Sequence, residues 1–538
     1  MKKHIIGTIV AMLAVGAHAA ESEGQTDQIL VKFADSSGSG RTLKAPDLLH
    51  LKSGLGSLGF NARHVRSMDS GVHVLKLDRF TSVKALRQGI PGLTKGRADI
   101  AYVEPDLIGA AATSDPFYGD QWSLYGATAG SNVLQAWNYS FGSGIIIGVV
   151  DTGFTYHEDL YGQTVAGYDF ISDAASANDG DGRDGNENDA GDYRAAGQCP
   201  SPFQDAKNSG WHGTGVASVA AAGTNNGYGI AGVAPFAKLQ SVRVIGKCGA
   251  YVSDTADGIR WAAGGAVSGV PQNTTPAKVI NVSISGDGAC SSVLYSAISA
   301  ARSMGAVVVI GAGNKNIDVI NSWPANCAGA VAVAAINSSG QRWVNGSAGS
   351  NYGTGVALAA PGVDMRVASN TGTTTPSTDQ YVFVSGTSVA APMVAGAAAL
   401  MRSANSNLTP DDIAVILKGT ARAFPSACSG CGAGMLDVGA AVYAVRPGAP
   451  QGTFTQTYVT RNGSTSTLVL TNTGSGWITG ISATCTQPGS SITTPPPSAL
   501  APNQSATIFS SNGWSSYTCG FKVTGNSVTN SPFQNGSF

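Results

Sequence analysis

Three polar residues stand where apolar segments of this chain change direction. Asp151 directly follows IIIGVV, His212 opens the small-residue run HGTGVASVAAAG, and Ser388 sits inside YVFVSGTSVAAPMVAGAAALM. The last stretch begins like a strand and continues like a buried helix. A serine at a helix start ordinarily caps the free backbone N–H groups. It becomes a nucleophile only if a base takes its proton and a third group orients that base. A carboxylate and an imidazole can fill those two roles. A lone histidine is ordinarily a satisfied hydrogen-bonded residue, and an unpaired carboxylate at the end of an apolar strand is costly. Three such residues, each at the mouth of an apolar element, are harder to dismiss than one.

The elements that must position them follow from the hydrophobic pattern. Over residues 113–446, IIIGVV, LQSVRVI, KVINVSI, AVVVIGAG and AVAVAAI are near-continuous apolar runs, as strands buried on both faces require. VSDTADGIRWAAGG and SSVLYSAISAARSMG between them have the length and period of helices. An α/β fold with a parallel sheet is expected, with functional residues at the carboxyl ends of its strands. Residues 20–112 form a smaller α+β segment with strands at QILVKF, GVHVLKL and IAYVEP. It is basic, with 12 Lys/Arg against 7 Asp/Glu between Gln28 and Ala110. Residues 452–538 turn to Thr, Ser, Asn and Gly, and their short strands at regular spacing predict a small β-sandwich.

A chain of 538 residues needs two or three domains. Its formal net charge of −1 points neither to nucleic acid nor to an anionic membrane surface. Lys2 and Lys3, a short apolar core and Ala17-His18-Ala19 read as a secretory signal over residues 1–19. No stretch is long enough for a membrane span. Export to an oxidising compartment makes disulfides the expected state of the eight cysteines.

VVDTGF, HGTGVASVA and SGTSVAAPMVAG, in that order, resemble the motifs of the subtilisin-like serine proteases. The resemblance covers most of residues 115 to 445. It departs at Gly215 and Met393, where the family often has histidines outside the proton transfer. It implies a subtilisin-like parallel sheet with helices on both faces and a serine endopeptidase acting through Asp151, His212 and Ser388. Asn314, after the strand AVVVIGAG, would donate to the oxyanion. Ser283, Ile284, Ser285 and Gly286 would bind extended peptide, and Gly311 and Ala312 would help wall the specificity pocket.

By the same resemblance, the segment before residue 112 looks like a propeptide that guides folding, inhibits, and is cut away between about 107 and 114. Asp115, Asp159, Thr224, Asn226, Tyr228 and Ile230 match a structural Ca²⁺ site. A second Ca²⁺ candidate comes from charge crowding in NDGDGRDGNENDAGD, with Asp181, Asp184, Asp189 and Asp192 as ligands. The family layout would pair Cys199 with Cys248 and Cys290 with Cys327. Cys428–Cys431 would then be local, and Cys485–Cys519 would staple the terminal sandwich. The expected product is a secreted, monomeric protease of protein substrates. Two rivals remain: a silent peptide-binding scaffold, and an esterase, whose GxSxG turn is missing here.

Overall fold

The computed structural model describes residues 25–34, 45–68, 71–107, 114–449, 454–461, 465–485, 497–512, 518–522 and 534–537. The expected signal segment and most of the expected processing region lie outside them. The chain divides into two compact units, Met1–Gly109 and Ala110–Phe538.

In the first unit, strands β1 (Gln25–Phe33), β2 (Ala62–Ser67), β3 (Val72–Ser82) and β4 (Ile100–Pro105) form one antiparallel sheet, in the order β2-β3-β1-β4. Helices α1 (Ala45–Ser57) and α2 (Val83–Thr94) complete the unit. Ile29, Val31, Leu55, Leu75 and Leu86 form its core. β2 had no clear signal in the sequence. ARHVRS is mostly exposed at the sheet edge, so pairing with β3 rather than apolar alternation makes it a strand.

The second unit is built on seven strands. These are β5 (Ile146–Asp151), β6 (Thr164–Asp169), β7 (Lys238–Arg243), β8 (Val279–Val282), β9 (Val307–Gly311), β10 (Val331–Ile336) and β11 (Leu358–Pro361). Every neighbouring pair is parallel, in the order β11-β10-β9-β8-β5-β7-β6. Successive side chains point to opposite faces, so both faces must be apolar. Val307 and Val309 join one core, with Ala217 and Ala397, while Val308 and Ile310 join another, with Ile259 and Ile298.

Helices α3 (His212–Ala221) and α6 (Thr387–Ala404) cover the first face. Helices α4 (Val252–Ala262) and α5 (Ser292–Ser303) cover the second. α3 and α6 pack closely on each other. A Cβ added at Gly396 of α6 would lie 2.5 Å from Val233 Cβ and 3.1 Å from Ala220 O. α6 is long and apolar because almost all of it is buried, but among the described residues no helix is long and apolar enough to cross a membrane.

The C-terminal strands form two three-stranded antiparallel sheets. One joins Phe454–Arg461, Thr465–Asn472 and Ser505–Asn512, and the other joins Ser482–Cys485, Thr518–Lys522 and Gln534–Ser537. They belong to the same unit as the parallel sheet. Gly480 N donates to Asp412 Oδ1 at 3.0 Å, and a Cβ at Gly419 would lie 2.5 Å from the Trp477 ring. These contacts tie the terminal segment to the helix Pro410–Gly419.

Leu400 is fully buried between the parallel sheet and the helices. Leu400→Ala is expected to lower stability by about 2–5 kcal/mol. Chemical denaturation checks the value.

Candidate active site

Asp151 is the last residue of β5 and is fully buried. Its Oδ1 accepts from Thr152 N at 2.7 Å and lies 2.8 Å from His212 Nδ1, with Oδ2 at 3.0 Å. His212 is the first residue of α3, and its side chain is 38% exposed. One edge of the imidazole therefore faces the buried carboxylate while the ring remains open to solvent. Burial alone would lower the pKa of the imidazolium. The Asp151 carboxylate, through its charge and hydrogen bond, outweighs that effect, and the net shift is upward.

Ser388 lies in the first turn of α6, whose cap is Gly386, with no side-chain cap bond. The cap residue has no side chain to bond with, and no bond from the Ser388 hydroxyl to the helix start occurs among the described residues. The Ser388 carbonyl accepts from Ser283 Oγ at 2.9 Å, which brings the start of α6 to the carboxyl end of β8. A Cβ at Gly311 would lie 3.0 Å from Thr387 O, so the same helix start also abuts the end of β9.

Asn314 follows β9 across Gly313, whose φ is 105° and where a Cβ would meet Asn351 Nδ2 at 2.4 Å. Asn314 Oδ1 accepts from Thr387 N and Thr387 Oγ1, both at 2.9 Å. The amide orientation is thereby set, and Nδ2 donates to no group among the described residues. A Cβ added at Gly386 would lie 3.3 Å from Ser388 Oγ and 3.3 Å from Asn314 Nδ2. The absence of a side chain there leaves a position flanked by a hydroxyl and an amide donor. Ser388 Oγ itself makes no hydrogen bond among the described residues. Asp151 and His212 are thus brought into contact, and Ser388 and Asn314 come together beside Gly386.

Ser283, Ile284 and Ser285 follow β8 without strand partners, and Gly286 pairs with Trp323 in a short antiparallel bridge. Gly311 and Ala312 are buried. A cavity of about 730 Å³ lies elsewhere, walled by Arg342, Asn345, Asp364, Ser385 and Ser429 among others.

Asp115 and Asp159 are buried and converge on the loop 224–230. Asp115 accepts from Thr224 Oγ1 at 2.8 Å and Asn225 N at 3.1 Å. Asp159 accepts from Ile230 N at 2.8 Å and Asn226 Nδ2 at 3.2 Å. Neither carboxylate pairs with a Lys or Arg among the described residues. Burial pushes the Asp159 carboxyl up to about 7, with a smaller push from the charge of Asp115. The carbonyls of Thr224, Tyr228 and Ile230 accept no hydrogen bond among the described residues.

The acidic segment differs from its expectation. Asp181, Asp184, Asp189 and Asp192 do not converge, and no group of three acidic, His or Cys side chains that could hold a metal occurs among the described residues. The segment's charge is met by protein cations instead: Asp192 pairs with Lys207, and Asp179 with Arg243. Asp189 is buried against Thr152 Oγ1, 2.6 Å away, and burial pushes its carboxyl up to about 7. Charge crowding marked the segment, but the neutralising Lys and Arg lie outside it in sequence.

Cys199–Cys248, Cys290–Cys327 and Cys428–Cys431 are disulfides. Cys485 stands opposite Cys519 in the strand register, and their side chains lie outside the described residues. Two site residues gained no role from the sequence beyond their motifs: Thr152, bonded to the α3 start at Gly213 N, and Thr387, bonded to Asn314. Both are the threonine of a short motif, DTG or GTS, which is the only signal they carry.

Residues 142–444 match the subtilase family. An extracellular protease of Xanthomonas campestris pv. campestris is 45% identical over 392 residues, covering 72% of this chain and 66% of that protein. An extracellular basic protease of Dichelobacter nodosus is 39% identical over 450 residues, covering 81% of this chain and 74% of that protein. A solved protease structure from Pseudoalteromonas arctica is 48% identical with a TM-score of 0.60, covering 62% of this chain and 99% of that one. With this match spanning its parallel sheet and the helices that carry Asp151, His212 and Ser388, the chain belongs to the subtilase family of serine endopeptidases.

Proposed function

We propose that the protein is a secreted endopeptidase, made as a self-processing zymogen, in which Asp151, His212 and Ser388 form the catalytic triad. The observation that carries it is the pairing of Ser388 Oγ and Asn314 Nδ2 around the side-chain-free Gly386. The Asp151–His212 hydrogen bond supplies the base. His212 Nε2 takes the Ser388 proton as Oγ attacks the scissile carbonyl carbon, and the carbonyl oxygen becomes an oxyanion. Asn314 Nδ2 and Ser388 N donate to that oxyanion, with the N-terminal end of α6 adding a favourable field. Collapse breaks the C–N bond, and the imidazolium gives its proton to the leaving amine. Water then repeats the sequence on the acyl-enzyme. Asp151 holds the Nδ1–H tautomer and stabilises the imidazolium throughout.

Peptide is proposed to lie along Ser283–Gly286, whose first three residues lack strand partners and can bond to an extended chain. The segment before residue 112 is proposed as the propeptide that guides folding and blocks the cleft until it is cut.

Ser388→Ala should abolish cleavage of a chromogenic peptide and leave the secreted chain uncut near residue 112. Asn314→Ala should lower kcat by roughly 100- to 1,000-fold with little change in KM, the size of loss known for removing the oxyanion-hole asparagine of a subtilisin. Full activity in either variant would exclude the proposed roles.

The upward shift of His212 sets the pH dependence. Activity needs the neutral imidazole, so kcat/KM should fall as pH drops through a midpoint above the ordinary 6.5. Asp151→Asn removes the carboxylate and leaves burial, which lowers the pKa. The midpoint, read from the residual activity profile or from the ring resonances, should then move down.

Asp115, Asp159, the Asn226 amide and the carbonyls of Thr224, Tyr228 and Ile230 are proposed to hold Ca²⁺. Two buried carboxylates without a cationic partner and three carbonyls without donors, among the described residues, form the hard-oxygen set that ion prefers. The ion would bind the folded loop and not the unfolded chain, and so stabilise the fold. Chelation should lower the thermal midpoint of the Ser388→Ala protein, and Asp159→Ala should remove most of that sensitivity. A wild-type loop indifferent to chelator would argue against the site.

A further inference from the structure

The acidic segment 178–192 holds no converged ligand set, yet two of its carboxylates reach the turn that carries His212. Asp192 Oδ1 accepts from Gly210 N at 2.7 Å, two residues before His212. Asp189 Oδ2 accepts from Thr152 Oγ1 at 2.6 Å, and Thr152 Oγ1 accepts from Gly213 N at 2.9 Å, one residue after it. Thr152 N in turn donates to Asp151 Oδ1 at 2.7 Å. A single residue, Thr152, is therefore bonded both to Asp151 and to Gly213, the residue that follows His212.

The direction of each bond matters. A hydroxyl has one proton, and while it accepts from Gly213 it keeps that proton free to donate. Asp189 receives it. The carboxylate is itself held, because its Oδ1 accepts from Gly191 N at 2.8 Å and its own N donates to Phe154 O at 2.9 Å. The fit leaves little room for slack: a Cβ at Gly153 would lie 2.7 Å from Glu187 O, and one at Gly213 would lie 2.3 Å from Gly153 O. The turn also has a conformational cost to hold. Trp211, a buried bulky residue, has a φ of 51°, in the left-handed region, and its Nε1 is anchored on Gly372 O at 2.8 Å.

We propose that Asp189 and Thr152 are positioning residues for the catalytic pair, with Asp189 orienting the Thr152 hydroxyl so that it fixes the α3 start and hence the imidazole relative to Asp151. The inference rests on the triad reading given above. Both residues are buried away from solvent, so their loss should displace the base and slow the chemical step without weakening peptide binding.

The test uses the mature enzyme and a chromogenic peptide. Thr152→Val, close in shape but without the hydroxyl, should lower kcat by about ten- to a hundredfold with KM unchanged to within about twofold. Thr152→Ser, which keeps the hydroxyl, should restore most of kcat. Asp189→Ala should show the same kcat-only loss. The double variant Thr152→Val/Asp189→Ala should be no slower than the slower single variant, because both changes break one link. Wild-type kcat in Thr152→Val, failure of Thr152→Ser to recover activity, or fully additive losses would each overturn the proposal. If Asp189→Ala does not fold, the Thr152 variants decide alone. A His212→Ala control separates the two levels: full activity there would remove the triad reading itself, whatever the Thr152 variants show.

Discussion

A carboxyl group with no exposure to water sits at the carboxyl end of β5, inside the parallel sheet, and the site is arranged around supplying it with donors. Asp151 is tolerable there only because donors meet it: Thr152 N from the chain that follows and His212 Nδ1 from a helix more than sixty residues away. Replacing one donor leaves a buried charge short of a partner, which is more costly than never having buried it. The same pairing raises the affinity of the imidazole for a proton while leaving the ring open to the solvent side. One hydrogen bond thus couples the stability of the strand end to the proton affinity of the imidazole.

The parallel sheet makes this economical in space. With every strand running the same way, the ends of β5, β8 and β9 lie together, and the helices that return across the sheet begin there. α3 and α6 can both start at that edge because their contact is lined by Gly and Ala, which lets their backbones approach. His212 and Ser388 are consequently first-turn residues of two packed helices. Asn314, reached across a glycine with a φ of 105°, is turned by Thr387 so that its amide nitrogen meets no acceptor among the described residues.

Acidic residues in this protein follow two physical routes out of the same problem. Asp179 and Asp192 find Arg243 and Lys207, so two of the crowded segment's carboxylates are met by protein cations, and another, Asp189, is pressed against Thr152. Asp115 and Asp159 have backbone and amide donors but no side-chain cation among the described residues, beside carbonyls that accept nothing there. Charge density along the sequence pointed to the first group. Local surroundings in three dimensions distinguish the second.

The amino-acid order alone determined the parallel sheet and the helices between its strands, and it marked Asp151, His212, Ser388 and Asn314 as candidates, because burial on both faces writes continuous apolar runs and each of these residues lies where one ends or begins. It left β2 unseen, since an exposed edge strand is specified by its neighbour and has no alternation of its own. Only the tertiary structure decided where the acidic segment's charges go, because Lys207 and Arg243 are neighbours in space and not in sequence. It likewise decided that Gly386 leaves a position flanked by hydroxyl and amide, and that Thr152 and Thr387 each hold a partner in place. Hydrogen-bond direction is a property of where two groups meet, and a short motif such as DTG or GTS does not say what it will face.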